Sequence, residues 1–170
     1  MSLILFALSL AAQAGPPEPL QQTVTGKWVI DEELSVIEPK MAAAVEAAVA
    51  QMSFYIRPFA RPRLQEGANW CREYHMSLSH AVYDLKCDAK KPVVRKLDNT
   101  DGPITNDQGE PVEVEVKTTA DTVTIIYRGP SGTRRNDFKF MGDRMIVNSS
   151  VSSDMLPEPM AWTLAYRKAK

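Results

Sequence analysis

Three arginines lie close together in one stretch of this chain, at Arg57, Arg61 and Arg63. Arg57 and Arg61 are four positions apart, so on a continuous helix their guanidinium groups project together. Two such groups at the rim of a cavity make a clamp for a carboxylate or a phosphate, because the planar guanidinium matches either geometry. The same residues serve equally well as a solvated face, or as ion-pair partners for Glu66 and Glu73. A second set is Glu73 and His75, which share one face of an expected strand. A hairpin centred on Ser79 sets His75 opposite Tyr83, and a Glu-His-Tyr group is able to move protons. An outward polar face is the plainer account, because a metal site normally needs three or more protein ligands. No metal site, cofactor or catalytic residue is therefore assigned.

The chain holds two cysteines, Cys71 and Cys87, and the same hairpin pairs them. An even count in an exported protein points to a disulfide, with two buried free thiols as the alternative. Reactive motifs are otherwise lacking in the sequence: it has no G-x-S-x-G elbow and no H-E-x-x-H. Arg128 to Thr133 carries two glycines, but they suit a hairpin turn better than a phosphate loop, since no helix follows. Arg134 and Arg135 fall on opposite faces of a strand, so they imply no joint role. Trp28, Met52, Phe59, Tyr127, Phe140, Trp162 and Tyr166 either line a cavity for an apolar ligand or simply fill the core.

The elements that position these residues begin with a leader. Leu3 to Ala12 is a short apolar run ending in Ala12-Gln13-Ala14, the small-x-small pattern of a signal-peptidase site. It is too short to span a bilayer, which needs about 20 residues. Residues 1–14 are read as a signal peptide and 15–22, rich in Pro and Gln, as a flexible lead-in. Residues 23–170 form one domain, placed in the periplasm or outside the cell. The formal net charge of -1 gives no long-range pull toward nucleic acid or an acidic membrane, and no second apolar run approaches spanning length.

Thr23 to Asp31 reads as a first strand. Met41, Val45, Ala48, Met52, Ile56 and Phe59 then recur at helical spacing and mark one α-helix, which Pro58 and Pro62 should kink or end near Arg57, leaving room for one short further turn to Leu64. After Gly67 the pattern changes to short strands. Val112, Val114 and Val116 alternate with Glu113, Glu115 and Lys117, one face dry and one wet. Met160, Trp162, Leu164 and Tyr166 do the same at the end of the chain. Short connections make these strands antiparallel neighbours. The expected fold is mainly β: an antiparallel up-and-down, lipocalin-like β-barrel of about 8–9 strands with one early α-helix packed on it. The last strand should meet the first and close the sheet.

Gly26-Lys27-Trp28 at the start of the first strand resembles the Gly-x-Trp of lipocalins and their calycin relatives. Ile56-Arg57-Pro58-Phe59-Ala60-Arg61-Pro62-Arg63-Leu64 resembles a segment of a group of secreted bacterial proteins of unassigned function. So does Leu156-Pro157-Glu158-Pro159 with the Met160 to Tyr166 strand. The resemblance implies a lipocalin-like barrel and transfers no site residue.

The function expected from these readings is non-enzymatic: an exported barrel that binds a small apolar or amphipathic ligand. The candidate ligand contacts are Arg57, Arg61, Phe59, Trp28, Tyr127 and Trp162. The alternative is a cell-envelope structural or protein-interaction module with a filled barrel. An eight-stranded barrel lies at the boundary between these two cases.

Overall fold

The structure, a computed structural model, describes residues 15–106 and 108–170. The leader at residues 1–14 lies outside the described residues. A short helix, α1 (Glu18–Val24), opens the described chain and buries Leu20 and Val24. Residues 15–22, expected as a lead-in, thus supply most of a helix. Strand β1 (Gly26–Ile30) follows. Two helices come next, α2 (Leu34–Ala50) and α3 (Arg57–Gly67). The remaining strands are β2 (Glu73–Leu78), β3 (Val82–Cys87), β4 (Val93–Lys96), β5 (Ile104–Thr105), β6 (Pro111–Thr118), β7 (Thr122–Gly129), β8 (Gly132–Met141), β9 (Arg144–Ser152) and β10 (Met160–Lys168).

The ten strands form one curled antiparallel sheet in the order β4-β3-β2-β1-β10-β9-β8-β7-β6-β5. The last strand does meet the first, with Trp28 opposite Lys168 and Ile30 opposite Tyr166. The expected count of 8–9 strands falls short because β5 is only two residues long and lies between two turn clusters. Closure is also incomplete. Across the gap, the turn after the edge strand β4 is joined to β6 by a side chain rather than a ladder. Asn99 accepts from the Val116 N–H at 2.8 Å and donates to the Val116 carbonyl at 3.2 Å.

Period-two alternation sorts the strand residues as the sequence implies. Trp28, Val114, Val116, Trp162 and Leu164 are all buried, while Glu113 and Lys117 face water and Glu115 is half-buried. Inside, Trp28 meets Phe140 edge-on at 5.3 Å, and Tyr74 meets Phe138 at 5.4 Å. Helix α1 covers the end of the barrel that holds the β2–β3 turn. There Trp28 donates its indole N–H to the Val24 carbonyl, and Lys168 donates to the carbonyls of Gln22 and Thr23. Gly132 begins β8 at φ +141°, where a Cβ would stand 2.3 Å from the Ser152 carbonyl oxygen, so only glycine fits.

Three helices are present where one was expected, and the stretch read as that helix is divided between α2 and α3. Met41, Val45, Ala48 and Met52 are buried on the chain's own core, as the apolar stripe requires. The stripe ends there, because residues 51–56 turn the chain and restart it as α3 in a new direction. Pro58 sits in the first turn of that new helix rather than ending the old one; proline suits the first turn because its missing N–H has no partner there anyway. Ile56 and Phe59 consequently leave the stripe, and Phe59 is 77% exposed.

The Cys71–Cys87 disulfide is present, with Cα atoms 5.5 Å apart. The hairpin register differs from the expected one by three residues. Cys87 lies opposite Tyr74, not Cys71, and His75 lies opposite Lys86, not Tyr83. A tight turn at His80-Ala81, in which the Ser79 N–H donates to the Val82 carbonyl and the Val82 N–H donates to the Ser79 hydroxyl, sets this register. Cys71 reaches its partner from just outside β2.

Candidate ligand-binding site

Strand alternation turns several polar side chains into the barrel. On β3 and β4 these are Tyr83 and its cross-strand partner Arg95. On β7 and β8 they are Tyr127 and its partner Arg134. Tyr74 on β2 and Tyr166 on β10 complete the set, and their rings lie 5.1 Å apart.

Arg95 is 4% exposed. Its Nη1 donates to the Gly102 carbonyl at 2.8 Å, but Nε and Nη2 have no partner, and neither has the Tyr83 hydroxyl. Arg134 is half-buried. It bonds to the Asn69 side chain, donates to the Asn69 carbonyl at 2.8 Å, and lies over the Trp162 ring at 5.5 Å. Among the described residues, neither guanidinium has a carboxylate in close contact. Asp101 stands 4.0 Å from Arg95, and Arg134 has none within that distance. Burial pushes the Tyr74 and Tyr127 hydroxyls up to about 12 and raises Tyr83 well above its ordinary value. The nearby arginines pull the other way on Tyr74 and Tyr127. Burial also lowers Arg134, so this interior disfavours charge of either sign.

A groove of about 600 Å³ opens at the end of the barrel away from α1. Met52, Ile56, Phe59, Leu64, Val151 and Leu156 form its apolar walls, with Arg63, Glu66 and Glu110 at its polar edge. A smaller recess of about 250 Å³ lies at the β4–β6 gap, with Asp101, Glu113, Glu115 and Arg128 around it.

The residues singled out in the sequence separate into three places. Tyr127 and Trp162 sit with Arg134 in the interior cluster. Phe59 lines the groove. Trp28 is fully buried under α1, where it packs against Phe140. Arg57 and Arg61 have local partners. Arg57 donates to the carbonyls of Met52 and Ala50 at 3.0 and 2.9 Å and so caps the C-terminus of α2. Arg61 forms a two-pronged pair with Glu46 at 2.7 and 2.8 Å, not with Glu66 or Glu73. The Glu-His-Tyr group does not form. Glu73 and His75 lie outside, where Glu73 also pairs with Lys27 at 2.6 Å, while Tyr83 points inward. Arg95 and Arg134 were the residues sequence reasoning passed over. A signal did exist for Arg95, which shares the inward face of its strand with Val93.

No protein-family model matches the chain, and no curated protein matches it in sequence. Solved structures do. A secretary abundant heat soluble protein from Ramazzottius varieornatus superposes with a TM-score of 0.55 at 14% identity, covering 85% of this chain and 94% of that one. A Schistosoma mansoni fatty acid binding protein in complex with arachidonic acid gives 0.52 at 15% identity, covering 89% and 99%. Human cRBP IV gives 0.50 at 13% identity, covering 85% and 97%. The chain therefore shares the curled antiparallel fold of the fatty-acid-binding and calycin-like β-barrels.

Proposed function

We propose that this protein is an exported carrier that binds a small amphipathic ligand with an anionic head, such as a fatty acid. One observation carries the reading: two guanidiniums, Arg95 and Arg134, point inward among tyrosines, and Arg95 Nε and Nη2 and the Tyr83 hydroxyl have no partner, with Asp101 standing off at 4.0 Å from Arg95 Nη1. Buried donors without acceptors are costly to fold around. An anionic head group would accept from Arg95 Nε, Arg95 Nη2 and the Tyr83 hydroxyl. The mouth groove lies within the size range of small-molecule sites and has the apolar walls that a hydrocarbon tail needs. That the Schistosoma relative in fold holds arachidonic acid is consistent with this reading. Export rests on the apolar run Leu3 to Ala12 and the Ala12-Gln13-Ala14 site.

The test combines native mass spectrometry of the purified protein with titration of cis-parinaric acid, a fluorescent fatty acid. Saturable uptake is expected. Arg95→Met should weaken it by roughly tenfold or more, the scale of one charge-assisted hydrogen bond. The same variant should melt at an unchanged or higher temperature, because a buried charge with two unpartnered N–H groups is replaced by an apolar side chain of similar length. A protein that carries no amphiphile and takes up no cis-parinarate would overturn the proposal in favour of a filled structural barrel.

A further inference from the structure

The three most exposed large hydrophobic side chains of the described chain are Phe59 at 77%, Tyr55 at 74% and Phe54 at 65%. All three fall within six positions, in the bend between α2 and α3 and in the first turn of α3. Phe54 and Tyr55 stack on each other with ring centres 3.8 Å apart and contribute nothing to the core. Keeping such side chains in water is unfavourable, and a cluster of them marks a contact surface. The bend is held in place: Arg57 ties the α3 start to the Ala50 and Met52 carbonyls, and Arg61 ties α3 to Glu46 on α2.

The charge around the patch selects the partner. Residues 51–65 contain three arginines and no Asp or Glu. Glu46 neutralises Arg61, but among the described residues Arg57 and Arg63 pair with no carboxylate. The nearest acidic residues on the flanking elements are Glu66 and, across the groove, Glu110. Aromatic side chains interleaved with unneutralised arginine fit the interfacial layer of an anionic bilayer. There Phe and Tyr rings settle at headgroup depth, and each basic residue adds attraction to acidic lipid. The patch is also continuous with the mouth groove, since Ile56 and Phe59 belong to both.

We propose that the α2–α3 bend docks on an anionic phospholipid surface, presenting the mouth of the barrel to the membrane. The contact goes beyond ligand binding, and its test is independent of that reading. The full-length mature protein is mixed with phosphatidylglycerol/phosphatidylethanolamine vesicles and with phosphatidylcholine vesicles, and bound protein is measured by co-sedimentation. Binding is expected to the first, weakened by salt, and to be much weaker to the second. Phe54→Ser/Tyr55→Ser should lower binding by about tenfold or more, from the apolar area withdrawn. Arg63→Glu should weaken binding to the phosphatidylglycerol vesicles only. A Phe54→Trp reporter should shift its emission to the blue on adding them.

Phe54 and Tyr55 lie outside the groove walls. Their double variant should therefore still take up cis-parinarate in vesicle-free solution, and loss of ligand uptake is read separately from loss of docking. Wild-type protein that stays in the supernatant, or a double variant that sediments as well as wild type, would overturn the proposal. So would a concentration-dependent dimer dissolved by the double variant, since the patch would then serve a second copy of the chain.

Discussion

The interior tyrosines show how placement changes the chemistry of a residue type. Burial raises Tyr74 and Tyr127 from the ordinary 10.0 to about 12, with Tyr83 and Tyr166 shifted in the same direction. Each is held neutral because its phenolate would lose solvation inside the barrel. A folded-state pKa above the unfolded one means that the unfolded chain releases its proton first. The stability tied to these residues is thus fully present below pH 10 and lost as pH rises toward 12 and beyond. Alkaline titration should show the tyrosinate absorbance of the four interior tyrosines rising together with loss of near-ultraviolet circular dichroism, in one cooperative step above pH 10. Full ionisation of all the tyrosines while the near-ultraviolet signal persists would show that these rings are accessible to water.

At the scale of elements, three contacts fix the helical cap to the sheet. The disulfide joins the segment after α3 to the end of β3, and Tyr166 on β10 donates to the Cys71 carbonyl at 2.7 Å. Arg134 reaches from β8 to Asn69 in the same linker. A bridge with a sequence separation of 16 should stabilise the fold by about 3 kcal/mol, through restriction of the unfolded chain. Cys71→Ser/Cys87→Ser should therefore lower the unfolding free energy by about that amount in a denaturant titration. A change under about 1 kcal/mol would mean that the Asn69 and Tyr166 contacts alone fix the linker. The β4–β6 gap is a contrasting case, because there one asparagine side chain substitutes for a strand ladder.

At the scale of the whole molecule, the barrel has one end covered by α1 and one end that opens beneath α3. Trp28 belongs to the covered end and the aromatic bend to the open one, so ligand entry and membrane contact would share a face. The export proposal has its own measurement. Protein recovered from the envelope fraction should have an intact mass that begins at Gly15, the residue after the Ala12-Gln13-Ala14 site. A mature pool that retains Met1 or Ser2 would refute cleavage at that site.

The sequence by itself determined what depends on near neighbours. Alternation along β6 and β10 settled which residues are dry, because successive side chains on a strand must point to opposite faces. The spacing from Met41 to Met52 settled a buried helical face, and short connections settled antiparallel order. The tertiary structure decided what depends on distant chain segments. It shifted the β2–β3 register by three residues, so that Tyr83 lies opposite Leu78 rather than His75, and it paired Tyr83 with Arg95 across β3 and β4. It broke the helix at residues 51–56 and left Phe59 in water. It assigned Arg57 and Arg61 to a helix cap and an ion pair, and it gathered Arg95 and Arg134 from strands on opposite sides of the β4–β6 gap around Tyr127. No local pattern encodes that gathering, since the burial of an arginine is decided by strands that meet only when the sheet curls.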